Sequence, residues 1–206
     1  MSSSVRLATD FDNTVVDYGE LFMYAARAIG VGILDPIRTK GQLRDFVRSL
    51  PDGERMWQRI QAEVYGRLMP RAKLVEGFEE VVAECRKCQI PVFIISHKTE
   101  VPAGDRGVKL RAAAMEWMAA NRFFDPLGLD FSRDEIFFEE TRLGKVARIR
   151  ELGCTHFVDD MMEVLSEAKF PPTVTPIHLA REPSPPPPAG VFRFTSWREI
   201  GAYLFG

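Results

Sequence analysis

Two aspartates separated by a single residue, Asp10 and Asp12, sit in the stretch RLATDFDNTVVDY (6–18), where a short apolar run ending at Ala8 gives way to a crowd of polar groups. Carboxylates this close repel each other unless a cation neutralises them or one of them keeps its proton. Both outcomes are chemically useful. A divalent metal would orient Asp10 as an anionic nucleophile, and Asp12 would hold or accept a proton as general acid and base. The same residue types also build Asx turns that cap a following helix, so this stretch alone leaves turn and catalytic site both open. The apolar run reads as a buried strand, which would set the two acids at its carboxyl end, the edge where open α/β sheets bind ligands.

Other strand-like runs end the same way. The clearest is IPVFIIS (90–96), which closes on Ser96, His97 and Lys98; THFVDD closes on Asp159 and Asp160. EIFF (135–138), TPIHLA (175–180) and VFRFTS (191–196) are shorter strands, with His178 read as a packed or hydrogen-bonded sheet residue. Between them lie helical patterns. Leu21, Phe22, Ala25, Ala26 and Ile29 share a face; Thr39 and Gln42 have capping-box spacing ahead of Leu43, Phe46, Val47 and Leu50; Trp57, Ile60, Val64 and Leu68 follow. Gly77 opens a further helix, another surrounds Leu110 and Trp117 and stops at Asn121, and one runs from Lys145 to Leu152. Ser196 and Glu199 repeat the capping-box spacing before the last helix. Alternating strands and helices imply a mainly parallel sheet covered on both faces, a Rossmann-like α/β fold. One such sheet would gather Asp10, Asp12, Ser96, Asp159 and Asp160 at a single edge. The stretch from about 16 to 74 has no strand signal and reads as an inserted helical unit, leaving 1–15 and 75–206 as the α/β core.

Composition narrows the function classes. Hydrophobic residues at 46% and charged residues at 27% of the 206 are ordinary for a folded chain, so disorder is not expected. A net charge of -2 lacks the basic excess of a dedicated nucleic-acid binder. No run of about 18 apolar residues is present, and MSSSVR leads into a strand without a signal-peptide pattern, so a cytoplasmic protein without a membrane partner is expected. Three cysteines are a poor disulfide scaffold. Cys85 and Cys88 form a C-x-x-C, but Cys85 shares a helix face with Phe78, Val81 and Val82 and no second ligand pair accompanies it, so it reads as packing. The PSPPPP run (183–188) lies between two strands and reads as a stiff surface loop.

With these residues placed, the sequence resembles the phosphatase-type members of the haloacid dehalogenase superfamily. Four motifs match in order: the D-x-D-x-T signature at Asp10 to Thr14, the strand-terminal Ser/Thr at Ser96, the helix-borne lysine at Lys145, and the acidic strand end at Asp159 and Asp160. Asn13 departs from a position often held by Gly. The resemblance implies that Asp10 attacks phosphorus to form an aspartyl-phosphate while Asp12 protonates the leaving alcohol and then activates water. It implies Mg2+ held by Asp10, the backbone carbonyl of Asp12, and the acidic pair, with Asp160 the direct ligand and Asp159 acting through water. Phosphoryl oxygens would meet Ser96 and Lys145, with His97 and Lys98 completing the substrate-binding set. Members that cleave carbon–halogen bonds lack an acid two residues after the nucleophile, so Asp12 favours phosphate chemistry.

The inserted unit corresponds to the family's helical cap, which implies a small phosphorylated metabolite as substrate. Residues 36–73 carry nine Lys/Arg against four Asp/Glu, which suits an anionic substrate and equally a solvated helix face. A phosphomutase or phosphotransferase on the same scaffold, and a non-catalytic phospho-ligand-binding module, are the competing expectations. A monomer or homodimer is expected.

Overall fold

The computed structural model describes residues 5–32, 37–102, 107–181 and 185–206. In chain order the elements are β1 (Leu7–Thr9), β2 (Val16–Asp17), α1 (Leu21–Ala28), α2 (Lys40–Arg48), α3 (Gly53–Ala62), β3 (Lys73–Leu74) and α4 (Phe78–Lys87). They continue with β4 (Val92–His97), α5 (Leu110–Ala120), β5 (Ile136–Glu139), α6 (Arg142–Glu151), β6 (His156–Asp159), α7 (Met162–Leu165), β7 (Thr175–Leu179), β8 (Phe192–Phe194) and α8 (Trp197–Phe205).

Six strands form one parallel sheet in the order β5-β4-β1-β6-β7-β8. The three central strands are apolar because each is covered on both faces: β1 is wholly buried, and β4 is buried up to its last residue. Beneath one face, Phe93, Ile95 and Phe157 pack with Ile149 and Val164. From β1 the chain steps outward through β4 to β5 and then returns to β6 on the other side. β1 therefore lies at the switch point of the sheet, where the loops after neighbouring strands part and leave a crevice.

The residues fall into two compact units. The sheet unit comprises Met1–Asp17, Leu74–Lys98 and Arg122–Gly206; the helical unit comprises Tyr18–Lys73 and Thr99–Asn121. The second stretch was not legible as part of the insertion, which the sequence pattern ends near 74. α5 joins the helical unit because its partners are there: Trp117 Nε1 donates to the Ala72 carbonyl at 3.0 Å, and Val108, just before α5, lies so close to Gly66 that a Cβ there would meet its Cγ1 at 2.2 Å. Two-residue strands, β2 and β3, also stand at the ends of the stretch read as strandless, and pair as a separate sheet.

Several local readings hold in detail. Thr39 and Gln42 form a reciprocal capping box. Ser196 accepts from the Glu199 N–H, but the Glu199 carboxylate turns to the Thr195 N–H at 2.6 Å, so that box is only half formed. Cys85, Cys88 and Cys154 are all free thiols, and burial pushes the Cys85 thiol up to about 11, where it is an inert packing group. Pro185 to Pro188 are irregular and mostly exposed; Pro183 and Ser184 lie outside the described residues.

Candidate active site

Asp10 directly follows β1, and its N–H donates to the Val158 carbonyl at 2.8 Å, extending the β1–β6 ladder by one residue. The chain then turns sharply, and Asn13 takes up a left-handed φ of +62°. Asn is, after Gly, among the residues that accept this conformation most readily, which accounts for the departure from Gly at this position. Trp197 Nε1 donates to the Thr14 carbonyl at 2.7 Å and anchors the far side of the turn. Asp10 is thereby buried, while Asp12 keeps partial access to solvent.

Lys145 lies inside α6, four residues past the Thr141 cap, rather than at the helix start. Its side chain is 2% exposed, and Nζ bridges Asp10 Oδ1 at 2.5 Å and Asp159 Oδ2 at 2.6 Å. Burial opposes its charge, but the carboxylates of Asp10 and Asp159 outweigh that and hold the ammonium above its usual range. Burial pushes the Asp10 carboxyl up to about 7; Lys145 draws it down, and Asp159 and Asp12 push it up. One buried ammonium shared by two carboxylates leaves the cluster short of positive charge.

A second lysine, Lys98, is buried and its Nζ meets Asp12 at 2.9 Å to Oδ2 and 3.1 Å to Oδ1. Sequence reasoning placed Lys98 with the substrate-binding groups and gave no sign of this pairing, because nothing local links residues 12 and 98. Ser96, one residue before the end of β4, is buried with no hydrogen-bond partner for its Oγ, and the Thr14 hydroxyl is in the same condition. Side chains alternate along a strand, so His97 points opposite to Ser96; it is exposed, and its Nε2 meets the Glu140 carbonyl at 3.0 Å. The structure does not bring His97 to the carboxylates.

Both oxygens of Asp159 are engaged, Oδ2 by Lys145 and Oδ1 by the Met161 N–H at 2.8 Å. Asp160 is half-buried, and its backbone carbonyl meets His178 Nε2 at 3.2 Å. One carboxylate oxygen from each of Asp10, Asp159 and Asp160 lies within 4.8 Å of the others. Three hard oxygen donors in a cluster short of positive charge suit a cation such as Mg2+, and the buried, unpartnered Ser96 hydroxyl near the end of the adjacent strand β4 suits an oxyanion. The residues present thus fit the metal that the four-motif resemblance implies.

No family model matches the sequence, and no curated protein does. Solved structures do match. A haloacid dehalogenase-like hydrolase from Streptococcus pneumoniae superposes with a TM-score of 0.64 over 99% of this chain and 100% of its own, at 13% identity. The fold is that of the haloacid dehalogenase-like hydrolases. A hydrolase of this fold from Deinococcus radiodurans, determined with bound phosphate and sodium, gives 0.60 over 99% of this chain and 96% of its own at 14% identity. A dehalogenase described with an intermediate complex gives 0.60 over 98% of both chains at 15% identity. In the haloacid dehalogenase fold as this chain builds it, the ends of β1, β4 and β6 carry the candidate residues and α6 carries Lys145.

Proposed function

We propose that this protein is a Mg2+-dependent phosphomonoesterase that works on a small phosphorylated metabolite through an aspartyl-phosphate on Asp10. The observation that carries the reading is the buried bridge Asp10–Lys145–Asp159 with Asp160 in reach of the same point. In the first half-reaction an Asp10 oxygen bonds to phosphorus, the ester P–O bond breaks, and Asp12 gives a proton to the departing alkoxide. In the second, Asp12 takes a proton from water, whose oxygen bonds to phosphorus as the Asp10–phosphorus bond breaks. Ser96 donates to a phosphoryl oxygen, and Lys145 keeps Asp10 oriented and offsets charge. Asp10, the Asp12 carbonyl and Asp160 would hold Mg2+, with Asp159, both of whose oxygens are engaged, acting at second hand. When bound, the ion screens the repulsion between carboxylate and phosphate.

Asp12 separates this reading from carbon–halogen cleavage. Halide leaves without a proton, so a carboxyl two residues past the nucleophile would have nothing to protonate. Phosphoryl transfer to a second alcohol uses the same residues, and a binding module would need no proton shuttle. The free thiols agree with a cytoplasmic setting, and among the described residues no helix is long and apolar enough to cross a membrane. The protein acts as a monomer or homodimer.

The test is a phosphate-release screen over sugar phosphates, nucleotides and phosphorylated small acids, with and without Mg2+, for wild type and Asp10→Asn. Release that requires Mg2+ and disappears in the variant is expected; undiminished release by Asp10→Asn sinks the covalent route. In ¹⁸O-labelled water a hydrolase delivers label to phosphate, whereas a transferase leaves the phosphoryl group unlabelled on its second acceptor.

A further inference from the structure

His178 lies in β7, opposite Asp159 of β6 in the parallel register, and is 5% exposed. Its Nε2 stands 3.2 Å from the Asp160 carbonyl oxygen. A carbonyl can only accept, so Nε2 carries the hydrogen, and the ring is the Nε2–H tautomer or its cation. Nδ1 is buried and has no partner, so that one bond is the only hydrogen bond that the described residues give the ring.

That bond acts on a particular peptide group. The carbonyl of residue 160 and the N–H of residue 161 belong to the same planar unit, with no rotation between them. His178 holds the carbonyl end, and Asp159 Oδ1 holds the N–H end at 2.8 Å. With both ends tied, ψ of Asp160 is fixed, and with it the direction from which the Asp160 carboxylate leaves the chain. Asp159 is tied in its turn by Lys145. The loop after β6 is thus fastened from α6 through Lys145 and Asp159, and from β7 through His178.

We propose that His178 is a positioning residue for the metal-binding carboxylate Asp160, so that the affinity of the site for a divalent cation depends on the His178 Nε2–H donor. The inference rests on the reading of Asp10, Asp159 and Asp160 as a cation site, and goes beyond it by assigning a role to a residue of a neighbouring strand. Groups that orient ligands from behind typically change metal affinity by about 10- to 100-fold when removed.

The experiment uses the full chain stripped of metal and titrated with Mn2+, which takes the same oxygen ligands as Mg2+ and is counted as the free ion by its paramagnetic resonance signal. Wild type, His178→Phe and His178→Gln are compared, the last placing an amide N–H near the original donor. The expected result is a dissociation constant raised about tenfold in His178→Phe and restored to within about threefold of wild type in His178→Gln. A purely structural role for the ring would lower the urea midpoint of the metal-free protein and leave Mn2+ affinity unchanged, and that outcome overturns the inference while the cation site stands. Wild type that binds no Mn2+ overturns the cation site and the inference together. Should His178→Phe not fold, ¹⁵N imidazole spectra of wild type decide, since the chain has only three histidines. The His178 Nε2 resonance is expected to shift in step with Mg2+ saturation, and a resonance that stays in place overturns the proposal.

Discussion

The two units bury different things. All the buried Ser, Thr, Asp, Lys and His side chains among the described residues lie in the sheet unit: Thr9, Asp10, Thr14, Ser96, Lys98, Lys145, Asp159 and His178. The helical unit is filled by rings and aliphatics, with Phe22 stacked on Trp57 at 5.5 Å and Tyr18 edge-on to Tyr65 at 5.0 Å; the Tyr18 hydroxyl meets the Met69 sulfur. Charge divides as well. The sheet unit has 14 Lys/Arg against 20 Asp/Glu, the helical unit 13 against 9. An acidic unit with carboxylates buried at a strand edge carries an electrostatic cost that Lys145 and Lys98 offset in part, whereas the helical unit is organised for burial of apolar surface. The difference puts the buried polar and charged groups of the candidate site in one unit and apolar packing in the other.

Substitutions can break that contrast. The largest effect is expected at Asp10→Asn, which should lower phosphate release by about 10³-fold or more yet stabilise the metal-free protein at pH 8. Asp10 has its carboxyl raised from 3.8 to about 7, so the stability it lends is complete below about 4 and has gone once the pH passes about 7. A neutral Asn therefore gains at pH 8 by about 1–3 kcal/mol and gains little at pH 4, as urea denaturation at the two pH values would read. Loss of stability at pH 8 would mean that Asp10 is a structural group.

Lys145→Met removes the ammonium between two buried carboxylates and should cost about 3–5 kcal/mol at neutral pH, partly restored by Mg2+. Since Lys145 is held above its usual range, its contribution persists throughout the neutral region and is lost only in strong alkali. In the helical unit, Trp57→Ala should cost a similar 3–5 kcal/mol, with Mn2+ affinity of the metal-free protein unchanged. A shift in that affinity would blur the line between the units. The smallest effect is expected at Thr39→Ala, about 1 kcal/mol by urea denaturation, from loss of the capping box that opens α2.

The strand-end acids were legible because strand end and candidate site coincide: an apolar run that stops on a carboxylate marks both, as at Asp10 and Asp159. Ser96 was legible for the same reason, and the alternation that buries it turns His97 away. What the sequence did not disclose depends on partners remote along the chain. Lys98 reaches Asp12 across 86 positions, and Lys145 reaches Asp10 across 135. His178 was read as a hydrogen-bonded sheet residue, which it is, but only the β6–β7 register reveals that its acceptor is Asp160. The membership of α5 was hidden because its helical pattern reports that one face is covered, and not by what.

The helical unit is assembled from Tyr18–Lys73 and Thr99–Asn121, with β4 and its site residues encoded between them. No single contiguous gene segment therefore specifies it. A crossover that replaced only the first segment would pair α5 from one parent with a packing surface from another, setting Val108 and Trp117 against an unfamiliar Gly66 and Ala72. A graft that exchanges this unit must therefore carry both segments together and leave in place the intervening strand that bears Ser96 and Lys98.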